Sequence, residues 1–212
     1  DAGKTYIYTV AETTGELSGV KYDGTVYTVA IKVIDNGDGT MHTVTTITWT
    51  AADGSAQTAV YDSSSADAGT PAVRFNNSYE AADADPVYIT EGFQKVLKGR
   101  DWKDSDSFTF TLRSLTDGAP MPKKSEVTVS EVTVSKEDLT DGKAPISFGE
   151  ITFTKAGVYK YEVRETDPGD SGAAGVKYDT AVRTITVTVT DDDENGKLVA
   201  AVTAVEGSRT FT

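Results

Sequence analysis

The chain has 212 residues, enough for one large domain or two ordinary ones that each bury a core. Its 33 Asp and Glu against 20 Lys and Arg give a formal charge of -13, which repels phosphate backbones and anionic headgroups and argues against nucleic-acid or membrane-surface partners. It contains no cysteine, which removes disulfides, thiolate metal sites and cysteine nucleophiles together, and no apolar run approaches the roughly 20 residues of a membrane span.

Along the chain the dominant signal is period-two alternation of β-branched and aromatic residues, broken by Asp, Asn and Gly. Residues 6–10 form one such run and residues 25–33 another; the turn 35–40 then leads into a third at 41–49, which predicts a β-hairpin. Residues 51–72, rich in Ser, Ala, Asp and Gly, read as an exposed insertion, either loop or ragged hairpin. The short polar stretch 82–86 ends in Pro86 and reads as a linker. Strand patterns resume at 108–112, 127–134, 151–153, 158–163 and 181–189, followed by a turn at 191–197. Helical spacing is absent apart from one short turn at 135–139.

An internal repeat orders these runs. Tyr6-Ile7-Tyr8-Thr9-Val10-Ala11-Glu12 recurs as Tyr159-Lys160-Tyr161-Glu162-Val163-Arg164-Glu165. Gly19-Val20-Lys21-Tyr22-Asp23 recurs unchanged as Gly175-Val176-Lys177-Tyr178-Asp179, and Val73-Arg74-Phe75-Asn76 is answered by the stretch 208–212. Residues 93–150 have no counterpart ahead of the first copy. The expectation is an all-β chain of tandem Ig-like, Greek-key β-sandwich domains. Residues 1–81 are the C-terminal part of a first domain, incomplete at its N-terminus, 82–86 the linker, and 87–212 the second domain, lacking its final asparagine. A secretion leader or wall anchor is expected outside this chain.

The order of three motifs, Lys95-Val96-Leu97-Lys98-Gly99-Arg100-Asp101, the Tyr-x-Tyr…Glu run of each copy, and Phe75-Asn76-Asn77-Ser78-Tyr79 with Phe211-Thr212, resembles the repeated pilin isopeptide-linkage domains of Gram-positive pili and cell-wall-anchored adhesins. In that family a first-strand Lys and a last-strand Asn form an amide, assisted by a middle-strand Glu. The resemblance implies that Lys95 and Asn77 are crosslinking residues and that Glu12 and Glu165 are the assisting acids. Asn77 is preferred to Asn76 because it shares a strand face with Phe75 and Tyr79. The second copy ends at Thr212, one position before its Asn is due, and the first copy lacks the strand bearing its Lys, so neither holds a whole set. Lys95 is left with two partners to choose between: an asparagine beyond Thr212, or Asn77 of another copy.

Strand alternation puts Phe93, Lys95 and Leu97 on one face, and Tyr159, Tyr161, Val163 and Glu165 on one face of another strand. These faces are apolar, so Lys95 and Glu165 are expected in the core, where burial disfavours the charged form of each. A neutral amine is a nucleophile, a protonated acid can polarise a carboxamide and relay protons, and a folded core holds the groups together. The bond forms once, so this is self-crosslinking and not enzymatic turnover. Like a disulfide it restricts the unfolded chain, by roughly 2–4 kcal/mol, and it resists reduction.

Other signals carry less. Asp35-Asn36-Gly37-Asp38-Gly39 and the stretch 191–196 look like calcium-loop fragments but lack the terminal bidentate Glu, and both sit where a hairpin must turn. His42, the single histidine, excludes a histidine-based triad or zinc cluster. Trp49 and Trp102 suit packing better than sugar stacking. No metal or cofactor is therefore expected. The functional expectation is a structural stalk or shaft module, extracellular at the cell surface or wall, touching neighbouring domains of the same surface protein. The alternative is an adhesin domain that binds a host protein or glycan, with residues 51–72 as the place to look.

Overall fold

The computed structural model describes residues 1–67 and 69–212; Ala68, inside the insertion, lies outside them. The chain divides into two units, Asp1–Glu80 and Ala81–Thr212. Both are built from strands, with two short 3-10 turns at Lys136–Asp138 and Gly169–Ser171 among the described residues. No helix among them is long and apolar enough to cross a membrane.

Unit 1 contains β1 (Thr5–Ala11), β2 (Val20–Lys21), β3 (Val26–Asp35), β4 (Met41–Thr50), β5 (Ala56–Asp62) and β6 (Ser78–Tyr79). Strands β1, β3, β4 and β5 form a four-stranded antiparallel sheet in that order, and β2 pairs with β6. The β3–β4 hairpin turns as its residues dictate: the Asp35 and Asp38 carboxylates accept the Gly37 and Thr40 N–H groups, and Gly37 and Gly39 take φ of 78° and 88°. The insertion is more regular than its composition suggests. Its β-branched and aromatic positions pair with β4, Thr48 opposite Thr58, Thr46 opposite Val60 and Thr45 opposite Tyr61, and make β5 an edge strand. Only Tyr27, Thr45 and Ile47 are buried among the described residues of this unit.

Unit 2 contains β7 (Gln94–Lys95), β8 (Ser107–Ser114), β9 (Lys123–Lys124), β10 (Val127–Thr128), β11 (Glu131–Ser135), β12 (Ala144–Pro145), β13 (Gly157–Glu165), β14 (Arg183–Asp192), β15 (Lys197–Glu206) and β16 (Thr210–Phe211). One sheet is antiparallel, ordered β11-β8-β13-β14-β15; the other is β12-β7-β16, with β16 parallel to β7. Alternation along β8 and β14 aims Phe108, Phe110, Leu112, Ile185, Val187 and Val189 at one core, while the intervening threonines face outward or remain half-buried. Phe93, Ile146, Phe148 and Phe211 close that core from the other side, so two sheets sandwich one apolar layer. A register shift sets Thr203 of β15 outside the one-to-one pairing with β14.

The stretch 82–86 belongs to unit 2 and is no free linker. Ala82 exchanges main-chain hydrogen bonds with the Gly196–Leu198 turn at 2.8 Å each, and Ala84 donates to Phe153 O at 3.0 Å and is buried. Alternation explains it: Asp83 and Asp85 face solvent while Ala84 fits the core, and Asp85 pairs with Lys197 at 2.6 Å.

Candidate crosslinking site

Lys95 sits on β7 between the inward positions of Phe93 and Leu97, and its side chain is 0% exposed. Glu165 ends β13 with its side chain likewise 0% exposed, and its Oε1 lies 2.6 Å from Lys95 Nζ. The walls are aromatic. Lys95 Nζ lies 4.6 Å from the centroid of the Phe108 ring, Trp102 meets Phe108 edge-on at 4.9 Å, and Phe110 meets Phe211 edge-on at 5.0 Å. Such walls exclude water and hold the local dielectric low. Burial pushes the Glu165 carboxyl above its ordinary range, opposed by the approach of Lys95 and by the Asp179 N–H, which donates to Glu165 Oε2 at 2.9 Å. Lys95 Nζ and Glu165 Oε1 make no aligned hydrogen bond despite their proximity. Buried polar atoms left this way are costly in an ordinary core.

Strand β16 runs beside β7 with Phe211 opposite Lys95. The Gln94 N–H donates to Arg209 O at 3.0 Å and the Val96 N–H to Phe211 O at 2.9 Å, so the ladder brackets Lys95. Beyond Phe211 the chain is held by Asp179, whose Oδ2 accepts the Thr212 N–H at 3.2 Å. Arg183, buried, pairs with that carboxylate at 2.7 Å, donates to Thr210 O at 3.1 Å, and lies over the Phe211 ring at 3.9 Å. Its hydrogen bonds hold the Asp179 carboxyl down at about 2.

Unit 1 presents the other half of the constellation. Asn77 Nδ2 donates to Glu12 Oε1 at 2.7 Å, and the Asp23 N–H reaches both Asn77 Oδ1 at 2.9 Å and Glu12 Oε2 at 3.2 Å. Asn76 contributes its backbone N–H, to Asp23 Oδ2 at 2.8 Å. It is therefore the Asn77 side chain that meets the acid. No cation pairs with Glu12 among the described residues, and Asn77 is exposed. The sequence-selected residues are thus brought together as Lys95 with Glu165 in unit 2 and Glu12 with Asn77 in unit 1; Lys95 and Asn77 belong to different units.

Sequence reasoning passed over Asp23, Asp179 and Arg183. A signal was available in the first two, since both close the one pentapeptide repeated without change. The remaining candidates have local roles. Trp49 packs on Tyr27 at 5.5 Å, and the carboxylates of Asp35 and Asp192 accept N–H groups of their own turns.

The chain finds no match among curated proteins. A family model described as Spy0128-like isopeptide containing domain matches residues 1–80 and 92–212, which takes in both units and each of Lys95, Glu165, Glu12 and Asn77. The chain belongs to that FctA family of isopeptide-containing domains.

Proposed function

We propose that the chain is a structural shaft or stalk module of a bacterial surface adhesin or pilus-like protein, stiffened by Lys–Asn amide bonds that its domains form on themselves. The observation that carries this reading is the buried Lys95–Glu165 pair, 2.6 Å apart without an aligned hydrogen bond, beside the parallel strand β16 whose Phe211 lies opposite Lys95. The pair is unusual as a stability device, because desolvating two charges costs about as much as their attraction returns. It is well suited to chemistry.

In this reading the Lys95 nitrogen attacks the side-chain carbonyl carbon of an asparagine two residues past Phe211. Glu165 in its protonated form polarises the carboxamide, passes its proton to the departing amide nitrogen and takes up the proton released by the attacking nitrogen, so that it ends as it began. One C–N bond forms, one breaks, and one ammonia leaves; no electrons are transferred to or from an outside species. Fixed geometry supplies an effective concentration of about 10⁵–10⁸ M, which brings an otherwise negligible amide exchange within reach. In unit 1 Asn77 Nδ2 donates to Glu12 Oε1, which holds the carboxamide in place for a lysine-bearing strand. The location that follows is extracellular, at the cell surface, beside neighbouring domains of one protein. The reaction happens once per site.

The test is the intact mass of the chain lengthened by an asparagine after Thr212 and a short polar tail. It should fall by one ammonia, with peptide mapping joining Lys95 to the new asparagine, and Lys95→Ala should abolish the loss. A full, unreduced mass in a folded sample rules the reading out.

A further inference from the structure

Asp23 and Asp179 occupy the same place in the two units, and each does two things at once. Their carboxylates fix the last strand: Oδ2 accepts the N–H of the residue just before the asparagine position, Asn76 at 2.8 Å in unit 1 and Thr212 at 3.2 Å in unit 2. Their main-chain N–H groups point the other way, at the assisting acid, 3.2 Å from Glu12 Oε2 and 2.9 Å from Glu165 Oε2. In unit 1, where the asparagine is present, the same N–H also reaches Asn77 Oδ1 at 2.9 Å. That oxygen takes on negative charge when an amine adds to the carboxamide carbon.

The surroundings reinforce the placement. Each carboxylate is oriented by an Asx turn, Asp23 Oδ1 accepting the Thr25 N–H and Asp179 Oδ1 the Ala181 N–H, both at 2.9 Å. Four residues on, the units differ in chemistry yet converge in effect. The Tyr27 hydroxyl donates to Arg74 O at 2.6 Å, and the Arg183 guanidinium donates to Thr210 O at 3.1 Å, the carbonyl just before the phenylalanine in each case. Two different side chains holding the same carbonyl argue that the strand position matters more than either residue.

We infer that Asp23 and Asp179 are positioning residues for amide formation: the carboxylate sets the register of the asparagine, and the attached main-chain N–H is the donor that receives the carbonyl oxygen as it becomes anionic. This rests on the crosslinking reading above and adds an oxyanion donor to it. The donor is part of the backbone and needs no side-chain chemistry of its own. The side chain's task is to hold strand and donor in register, and a displacement of about 1 Å can slow such a reaction about a hundredfold.

Two measurements test it. In the present chain, Asn77→Ala removes the acceptor, and the Asp23 amide proton should move upfield in the NMR spectrum while resonances of β3 and β4 stay in place. An unmoved Asp23 resonance overturns the donor assignment. In the chain lengthened by asparagine, Asp179→Ala should slow ammonia loss about a hundredfold. Asp179→Asn, which can still accept the Thr212 N–H, should recover part of the rate, a rescue that general loss of stability does not produce. Melting of the same variants on the Lys95→Ala background separates folding from rate. Closure at the parent rate in folded Asp179→Ala overturns the proposal and leaves the crosslinking reading intact. A parent that never loses ammonia overturns the crosslinking reading and this proposal with it.

Discussion

Units 1 and 2 carry the same strand motif in different surroundings. Tyr159-Lys160-Tyr161 lies on β13, flanked by β8 and β14, and Tyr161 is 0% exposed; Tyr6-Ile7-Tyr8 lies on β1, which has β3 alone beside it among the described residues, and Tyr8 is 54% exposed. The acids follow their strands: Glu165 is buried, with its carboxyl pushed up, whereas Glu12 is half-buried. A motif therefore does not set the surroundings of its acid by itself. A second sheet must close over it before desolvation can act on the acid.

The largest expected effect breaks the comparison through packing. Phe108→Ala removes a wall shared by Lys95, Trp102 and Tyr178, and should destabilise unit 2 by about 3–5 kcal/mol. Tyr8→Ala in unit 1 should fall within about 0.5 kcal/mol. Calorimetry of the two variants against the parent measures both, and equal losses refute the contrast. Next in size is the buried acid. Glu165→Ala strands the Lys95 amine in an apolar box and should cost about 3–5 kcal/mol, while Glu12→Ala, losing partly solvated hydrogen bonds, should cost about 1 kcal/mol. Denaturant titrations at neutral pH decide between them.

The smallest effect sharpens the comparison through pH. The folded-state pKa of Asp179 is depressed from 3.8 to about 2, so its contribution is present above about pH 4 and is lost as pH falls through about 2. Glu165 acts in the opposite sense. Its raised pKa favours the fold at acid pH, and that contribution is lost as pH rises through the folded value. Asp179→Asn should flatten the acid limb of the unit 2 stability curve, and a limb of unchanged steepness assigns it to other carboxylates.

Much of this was legible in residue order. Alternation marks β1, β3, β4, β8, β13 and β14, and it puts Lys95 and Glu165 on inward faces. Features set by tertiary partners were not legible. Residues 127–134 looked like one strand but divide at 129–130 into β10, which pairs with β9, and β11, which pairs with β8; ahead of them Ser125 and Glu126 take φ of 50° and 66° and turn the β9–β10 hairpin without the Gly or Asn that advertises one. The stretch 82–86 looked like a linker because its polarity outweighed the inward fit of a single small side chain, Ala84. Strand β5 was hidden by the serines and glycines around it. Asp179 escaped notice because an aspartate before a strand reads first as a turn former, and only the fold shows what its other oxygen holds.

The parallel pairing of β7 and β16 has a consequence for how unit 2 yields to load. Tension arriving through residues 81–93 must first break the main-chain bonds of Ala82, Ala84 and Val87; force along β7 and β16 then slides one strand past the other in shear. The bonds from Gln94 to Arg209 and from Val96 to Phe211 then bear the strain together and must rupture together, where an antiparallel terminal pair would unzip one rung at a time. A short two-rung clasp in this orientation resists extension better than its length suggests.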